Sequence, residues 1–260
     1  NNDTYSPQNY NKKYANKEIT MAAALSYSDN IYAVKTHLFL GEDTLVETAK
    51  RMGIEKDLPA IPSLPLGTAE ISMRDFANAY TTLASNGYKR DLSVILKVTD
   101  MHGNVLYEKK DNSTQVLNSN YTFILNEMLT ATYNSAFIDY NTPTIISLGS
   151  KISRKYAMKT GSSGTDCYMI GYNPDILMLV WNGYDDNRQM QPADGNISKN
   201  IWVNTVEEYL KDKEARWYDV PENVVGVPLD AVTGNQAVND KKMYVYYYVK
   251  GSEYVNSEME

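Results

Sequence analysis

The sequence predicts an α+β protein, because helical and strand signals occupy different parts of the chain. Helical periodicity and capping residues dominate the first half, and from Tyr156 the pattern changes to short β-prone runs joined by turn residues. A last helical pattern over residues 198–213 is followed by a β-prone tail. The 260 residues, of which 43% are hydrophobic and 22% charged, are enough to bury a substantial core.

The helices of the first half are marked by residues that begin or end a helix. Thr20 is expected to cap the first helix, because a threonine oxygen at this position accepts a hydrogen bond from an otherwise free backbone amide. Ser72 begins another helix in the same way, and Asn86-Gly87 ends it. The predicted helices cover residues 21–27, 31–40, 44–52, 76–85 and, capped by Ser119, 120–133.

Strand signals begin with an alternating stretch over residues 92–110. Turn residues at 100–104 divide this stretch, which predicts a hairpin. Further along the chain, Asn173-Pro174 predicts a tight connection between two apolar runs. The predicted strands of this second group cover residues 156–159, 166–172 and 176–184.

The residue pattern of the chain changes after Trp217. Proline and glycine residues now separate short β-prone pieces, which end in the tyrosine-rich run of residues 243–249. We therefore expect a boundary near residue 216. It divides a main domain of residues 1–215 from a β-rich extension of residues 216–260.

Composition excludes several classes of function. With a net charge of −7 and no Lys/Arg block longer than a pair, nucleic acid is not an expected partner. One cysteine, Cys167, and two distant histidines, His37 and His102, do not suffice for a zinc site, so no metal or cofactor is expected. The sequence has no G-x-S-x-G, which disfavours a Ser-His-Asp hydrolase. Any serine chemistry would need a base other than histidine.

Two short motifs carry the candidate chemistry. Ser28-Asp29-Asn30 lies at the junction of two predicted helices, and Lys159-Thr160-Gly161 lies at a predicted strand. They match S-D-N and K-T-G, two of the three elements of an active-site serine signature whose third element is S-x-x-K. Taken alone, the first motif is also typical of a pair of helix caps, and the second is typical of a strand that leads into a turn.

The surroundings of the two motifs resemble the transpeptidase domain of class A penicillin-binding proteins. The similar stretches are "NYNKKYANKEITMAAALSYSDNIYAVK" (9–35), "IPSLPLGTAEISMRDFANAYTTLASNGY" (61–88), "MKTGSSGTDCYMIGYNPDILMLVWNGYDDN" (158–187) and "WYDVPENVVGVPLDAVTG" (217–234). The resemblance implies a penicillin-binding/serine β-lactamase-like fold, with an antiparallel sheet flanked by helices and incomplete in this chain. It also implies cross-linking of peptidoglycan stem peptides ending in D-Ala-D-Ala, and acylation by β-lactam antibiotics.

The K-T-G motif suits recognition of a peptide that ends in a carboxylate. The Lys159 ammonium supplies charge, and the Thr160 hydroxyl supplies a directed hydrogen bond to the same carboxylate. Gly161 lacks a side chain, which lets an extended substrate lie beside the strand. By resemblance, the backbone N–H of Ser162 would be one donor of the oxyanion hole.

The S-D-N motif suits proton transfer and positioning. Ser28 carries a hydroxyl that can pass a proton to a departing amine, provided that a lysine lies close to it. Asn30 offers an amide donor and an acceptor to the substrate backbone, and could also hold the catalytic lysine. Asp29 is expected to cap a helix or stabilise a turn, without a catalytic role.

The third element of the signature is missing. No serine in the chain is followed by a lysine three positions later. By resemblance, the nucleophile lies several dozen residues before the S-x-N motif, so we expect it in an upstream segment of the same protein. This chain alone is then expected to be inactive, with an unpaired strand edge and an unfilled core. The substrate implies an extracytoplasmic domain, anchored to the membrane through a segment outside this sequence.

Two other functions stay open at this point. A class A β-lactamase shares S-D-N and K-T-G, but it should also carry an E-x-x-L-N loop, which is absent between Asn30 and Lys159. A non-catalytic binding or scaffold domain of the same fold would need no nucleophile. It predicts that no acyl adduct forms, even when the upstream region is present.

Overall fold

Six α-helices are found in the part of the chain that the computed structural model describes, which is residues 5–191, 193–237 and 239–253. They are α1 (Met21–Tyr27), α2 (Asn30–Leu40), α3 (Glu42–Arg51), α4 (Met73–Ala84), α5 (Ser119–Met128) and α6 (Ile197–Leu210). Each lies where the sequence predicts a helix, with ends that differ by a few residues. Within the same residues, none of the helices has the length and apolar character needed to cross a bilayer.

Nine strands of the described residues form four small antiparallel sheets. The largest has three strands in the order β5-β6-β7, and the others are the pairs β1-β4, β2-β3 and β8-β9. The strands are β1 (Tyr88–Lys89), β2 (Lys97–Thr99), β3 (Val105–Glu108), β4 (Thr114–Gln115), β5 (Ala157–Ser162), β6 (Asp166–Tyr172), β7 (Leu177–Gly183), β8 (Val224–Asp230) and β9 (Met243–Val249). The α+β class and the hairpin predicted over residues 92–110 are confirmed.

Two helix starts follow directly from the sequence. The Thr20 side chain accepts from the amide of Ala23 at 3.2 Å and caps α1. Ser72 caps α4 through the amide of Asp75 at 3.0 Å. Both predictions are confirmed, since capping depends on residues only three positions apart.

The predicted cap at Ser119 is wrong. Asn118 caps α5, because its Oδ1 accepts from the amide of Asn120 at 2.9 Å. The Ser119 hydroxyl instead donates to the carbonyl of Asn86 at 2.9 Å, a contact that the local sequence does not reveal. The helix predicted to reach residue 133 also ends earlier, and a 3-10 helix covers Leu129–Tyr133.

The strand predicted over residues 156–159 is longer than expected, since β5 continues to Ser162. Gly161 pairs with Tyr168, and Ser162 pairs with Cys167, so the ladder to β6 extends the strand through residues of low strand propensity. The whole K-T-G motif therefore lies within a strand. Its backbone is fixed by hydrogen bonding on one side.

The three-stranded sheet forms the middle of the core. One face packs on α6, where the indole of Trp202 is fully buried against Met158 and Met169. Gly171 lies directly under this indole, and any Cβ at that position would clash with the ring. On the opposite face, Ala157 and Tyr172 pack near α4 and the 3-10 helix that follows α5. Both faces are covered near the start of β5, so the position of the K-T-G residues is well determined.

The C-terminal hairpin β8-β9 packs on the start of the main domain. Its Tyr244 and Tyr246 are buried in one cluster with Ala22, Ala23 and Tyr27 of α1. Tyr246 also donates to the Thr20 hydroxyl at 2.8 Å. The β-rich character predicted for this end is present, and the division of the chain at residue 216 stays a prediction.

Candidate active site

The two motifs meet in the folded chain. The Lys159 ammonium on β5 donates a hydrogen bond to the hydroxyl of Ser28, which lies 131 positions earlier at the end of α1. Contacts between residues so far apart in sequence are set by tertiary packing alone. The pairing therefore combines the S-D-N and K-T-G elements into one site.

The S-D-N turn is sharp because one helix ends and another begins within three residues. Ser28 has φ 53° and ψ 52°, which is the left-handed conformation, and this costs a residue other than glycine about 1 kcal/mol. Asp29 caps α2, since its Oδ1 accepts from the amide of Tyr32 at 2.9 Å. The structural role predicted for Asp29 is confirmed. The strained turn directs the Ser28 side chain toward β5.

Lys159 is held in a setting that disfavours its charge. Burial lowers the pKa of the ammonium from its ordinary value of 10.5 to about 8. Its two hydrogen bonds go to neutral oxygens, the Ser28 hydroxyl and the carbonyl of Thr160 at 3.0 Å. No carboxylate of the described residues forms an ion pair with it. The site thus holds a cation that lacks a counter-ion and has one N–H left to donate.

The outer edge of β5 is open. No other strand of the described residues pairs with it, because β5 is the first strand in the order β5-β6-β7. The Ser163 amide donates to Asp166 at 2.9 Å, and bonded and non-bonded pairs alternate along an antiparallel ladder. Ser162 and Thr160 consequently direct their backbone polar groups away from β6. An extended ligand could add to this edge as a further strand.

Thr160 and Gly161 lie at the same edge. Successive side chains of a strand point to opposite faces, so a ligand can reach both Lys159 and Thr160 only along the edge of β5. Gly161 is exposed, and a Cβ there would meet Tyr168 at an ordinary 3.6 Å. Nothing among the described residues therefore requires glycine at this position. The open space in front of it is available to a ligand.

Asn30 begins α2 and faces the N-terminal part of the chain. Its Nδ2 donates to the carbonyl of Gln8 at 2.7 Å, and its backbone amide donates to Asn9 Oδ1 at 2.8 Å. Its side chain makes no hydrogen bond to Lys159. The role predicted for Asn30, toward the substrate and the catalytic lysine, stays a prediction. Because Gln8 O can only accept, the Asn30 carboxamide must turn its oxygen away from Gln8.

Sequence reasoning missed the residues that surround the S-D-N turn. Asn9 and Tyr140 both donate to Asp29 Oδ2, at 2.8 and 3.1 Å. Asn9 lies at the start of the first family-like stretch, which was the only available signal for it. Tyr140 lies in a loop that carries no motif.

Neighbouring residues that could attract attention have structural roles. Cys167 is buried on β6, and burial raises the pKa of its thiol, so it is not set up as a nucleophile. Trp181 donates to Asp166 at 2.8 Å and packs along the sheet. Across the described ranges, no group of three His, Cys, Asp or Glu residues could hold a metal ion.

Comparison with known proteins identifies the class to which this fold and site belong. The family model of the penicillin binding protein transpeptidase domain matches residues 1–201. This match covers more than half of the chain, so the chain belongs to the penicillin-binding protein transpeptidase family.

Particular relatives are similar along nearly the whole chain. Penicillin-binding protein 2D of Bacillus subtilis (strain 168) is 41% identical over 256 residues, which cover 98% of this chain and 37% of the relative. Penicillin-binding protein 1A of Neisseria gonorrhoeae is 26% identical over 235 residues, which cover 86% of this chain and 28% of the relative. The chain thus spans about a third of the length of these relatives.

Solved structures support the same fold. Penicillin-binding protein 1A from Haemophilus influenzae superposes with a TM-score of 0.84 at 21% identity, covering 97% of this chain and 43% of that one. Penicillin-binding protein A from M. tuberculosis, in a ceftriaxone acyl-enzyme complex, gives a TM-score of 0.60 at 13% identity, covering 79% of this chain and 52% of that one. The predicted penicillin-binding type of fold is confirmed.

Proposed function

We propose that this chain is part of a D,D-transpeptidase that cross-links peptidoglycan stem peptides through a serine acyl-enzyme, and that β-lactams acylate the same serine. The observation that carries the proposal is the contact of Lys159 with Ser28 beside the open edge of β5. It supplies a proton path, a cation and a strand edge in one place. The family membership of the chain supports the same reaction class.

The nucleophile of the proposed reaction lies outside this sequence. The chain carries no S-x-x-K, and its relatives are about three times as long. In the first step, the nucleophilic serine oxygen would attack the carbonyl of the penultimate D-alanine, and the bond to the terminal D-alanine would break. The acyl group would then pass to the amine of a second stem peptide. This chain alone is expected to bind the substrate poorly and to form no acyl bond.

We assign Ser28 and Lys159 to the proton that the departing amine needs. Because the ammonium donates to Ser28 Oγ, the hydroxyl hydrogen of Ser28 is free to point elsewhere. Ser28 could give that hydrogen to the departing amine and take a replacement from Lys159. The pKa of Lys159, lowered to about 8 by burial, is close to neutral pH, which suits such an exchange. The proton of the nucleophile itself would go to a base outside this chain.

Substrate binding is assigned to the edge of β5. The charge of Lys159 and the hydroxyl of Thr160 would hold the terminal carboxylate, and Gly161 would let the peptide approach as an added strand. The backbone N–H of Ser162 would be one oxyanion donor, and its outward direction is consistent with that role. Asn30 would offer its free carboxamide oxygen to an N–H of the substrate backbone.

The proposed substrate implies an extracytoplasmic site. Stem peptides are cross-linked outside the cytoplasmic membrane, and we propose that the complete protein is anchored there through a segment beyond this sequence. The proposed partners are therefore the stem peptide, β-lactams and the segment of the same protein that carries S-x-x-K.

Intact-mass measurement after incubation with penicillin tests the proposal. The full-length protein and this 260-residue chain would be treated in parallel. We expect one penicilloyl adduct on the full-length protein only, with peptide mapping that places it on a serine outside this sequence. Incubation of the full-length protein with two stem peptides should release D-alanine and give a cross-linked dimer.

Other outcomes would point elsewhere. No adduct on either protein would favour the non-catalytic domain. An adduct on the short chain would mean that its own serine is the nucleophile. Fast turnover of penicillin, without a stable adduct, would favour a β-lactamase.

A further inference from the structure

Asp29 makes more hydrogen bonds than its role as a helix cap requires. Its Oδ1 alone caps α2 through the amide of Tyr32. Its Oδ2 accepts from Asn9 at 2.8 Å and from the Tyr140 hydroxyl at 3.1 Å. These donors lie 20 and 111 positions away in sequence and approach the carboxylate from two separate segments. We call these two segments the strap (residues 8–13) and the loop (residues 137–144).

Asn9 joins the strap to the S-D-N turn through side-chain hydrogen bonds. It is only 5% exposed, and every polar atom of its side chain is engaged. Its Nδ2 donates to Lys13 O and to Asp29 Oδ2, both at 2.8 Å, and its Oδ1 accepts from the Asn30 amide at 2.8 Å. A buried amide that is fully satisfied in this way fixes the position of all its partners. It therefore holds two of the three S-D-N residues.

The loop holds the turn from the other side. The Tyr140 ring packs edge-on against Tyr27, with centroids 5.0 Å apart, while its hydroxyl reaches Asp29. The Thr144 amide donates to the carbonyl of Ser26 at 2.9 Å. Asn11 of the strap donates to Asn141 of the loop at 2.9 Å, which joins the two segments. The residues on both sides of Ser28 are thus anchored independently of the helices.

Ser28 itself depends on these anchors. Its left-handed backbone is an unfavourable conformation for serine, and it persists only where the surroundings enforce it. If Asp29 moved, the turn could relax, and the Ser28 hydroxyl would then swing away from Lys159. The carboxamide of Asn30 would lose its orientation at the same time.

We propose that Asn9 and Tyr140 are positioning residues of the transpeptidase reaction, which hold Ser28 against Lys159 and orient Asn30 through their hydrogen bonds to the S-D-N turn. The inference rests on the proposed function for its effect on acylation. Its structural part, the fixing of the turn, can be measured separately.

Tyr140→Phe and Asn9→Ala in the full-length protein test the proposal. Tyr140→Phe keeps the ring on Tyr27 and removes a single hydrogen bond. Tyr218→Phe is the matched control, since it removes a hydroxyl that donates to Ala84 O at 2.9 Å, away from the site. We expect the acylation step by penicillin to slow by about tenfold or more in both test variants, because small displacements of catalytic groups have effects of this size. The control should acylate at the wild-type rate, with an equal or larger drop in melting temperature.

An exchange of the two side chains gives a positive test. In Asp29→Asn alone, the side-chain amide group at position 29 would face the Nδ2 donor of Asn9. In Asn9→Asp alone, the carboxylates at positions 9 and 29 would face each other as two acceptors. The double variant restores a donor and an acceptor between positions 9 and 29, while the hydrogen bond from Asn9 to the Lys13 carbonyl stays lost. It should therefore recover part of the acylation rate that each single variant loses. A loss of general stability would not produce this recovery.

Amide hydrogen exchange separates the inference from the proposed function. The amides of Asn30 and Tyr32 should exchange faster in Asn9→Ala than in wild type or Tyr218→Phe. Failure of the wild-type protein to be acylated would refute the proposed function, and the exchange result would still decide whether Asn9 fixes the turn. Unchanged acylation and unchanged exchange in Asn9→Ala would overturn the inference.

Discussion

Lys159 carries a conflict between stability and function at the scale of a single residue. Burial without a counter-ion disfavours its charge, and the pKa of its ammonium falls from 10.5 to about 8. The folded protein therefore binds this proton less tightly than the unfolded chain does. A residue chosen for stability alone would be apolar here. A lysine at this position is consistent with the proposed role of attracting a carboxylate.

The lowered pKa of Lys159 should affect the pH dependence of acylation. The rate constant for acylation of the full-length protein at low penicillin concentration should fall as the pH rises through about 8, because Lys159 loses the charge that attracts the penicillin carboxylate. Lys159→Ala should lower the rate by about a hundredfold or more, because loss of an electrostatic contact to the transition state has effects of this size. It should also flatten the pH dependence. Stopped-flow acylation with a fluorescent penicillin measures both. Cys167→Ala is the control, and it should leave the rate and its pH profile unchanged.

The lowered pKa of Lys159 should also affect the pH dependence of stability. Between pH 8 and pH 10 the unfolded chain keeps the Lys159 proton while the folded protein releases it, so this residue by itself makes the free energy of unfolding rise with pH. Buried tyrosines such as Tyr133, whose pKa burial raises to about 12, act in the opposite direction in wild type and variant alike. The free energy of unfolding of Lys159→Gln should therefore decrease relative to that of wild type as the pH rises from 8 to 10. Urea unfolding of both proteins across this range gives the difference. Equal slopes would show that Lys159 has the same pKa in both states.

At the scale of elements, Thr20 joins three parts of the fold. It caps α1, donates to the carbonyl of Ala231 at 3.0 Å and accepts from the Tyr246 hydroxyl. One hydroxyl thus connects the helix that ends at Ser28 with the C-terminal hairpin. Ser72 caps α4 through a single hydrogen bond at an exposed position. The two caps differ in their tertiary contacts while sharing the same local role.

Thr20→Ala should therefore destabilise the protein more than Ser72→Ala. Loss of an N-cap costs about 1 kcal/mol, which is our expectation for Ser72→Ala. Thr20→Ala should cost about 2 kcal/mol or more, because it also removes two further hydrogen bonds of the Thr20 hydroxyl, which join it to Ala231 and to Tyr246. Urea unfolding of both variants measures the difference. Equal losses would mean that the hairpin contributes nothing through Thr20.

At the scale of the whole molecule, one edge of the sheet and one side of a helix are uncovered in the described residues. No strand of the described residues pairs with the far edge of β7. Helix α6 leaves Ile197, Ile201 and Tyr209 exposed by 43%, 45% and 56%. Spacings of four and eight place these apolar side chains on one side of the helix. The expectation of an unpaired edge agrees with this arrangement, and we propose that another segment of the full-length protein covers it.

Ile201→Lys tests the proposed cover. In this chain alone the side chain is half exposed, so the melting temperature should change little. In the full-length protein the same charge would be buried against the covering segment, and we expect a loss of about 2 kcal/mol or more. Met101→Lys, at a position that is 92% exposed on the β2-β3 hairpin, is the control and should alter neither protein. An equal loss of stability in the two proteins on Ile201→Lys would contradict the proposal that another segment covers α6.

The parts of the fold that the sequence predicted well are those that depend on neighbouring residues. The caps at Thr20 and Ser72 and the structural role of Asp29 involve partners three positions away, so the local pattern contains the whole interaction. The cap predicted at Ser119 failed for the complementary reason, since its hydroxyl bonds to Asn86, 33 positions away. The strand at residue 157 also ran further than its local propensity, because β6 pairs with it to the end.

The sequence by itself determined the chemical groups of this protein: a lysine, two hydroxyls and a carboxamide in two short motifs, together with the absence of S-x-x-K. Only the tertiary structure decided that Ser28 meets Lys159, that the edge of β5 stays open, and that Asn9 and Tyr140 hold the S-D-N turn. The physical reason is the range of the interactions. Side-chain identity and helix capping are local properties, whereas these contacts join segments 20 to 131 positions apart through packing of the whole chain.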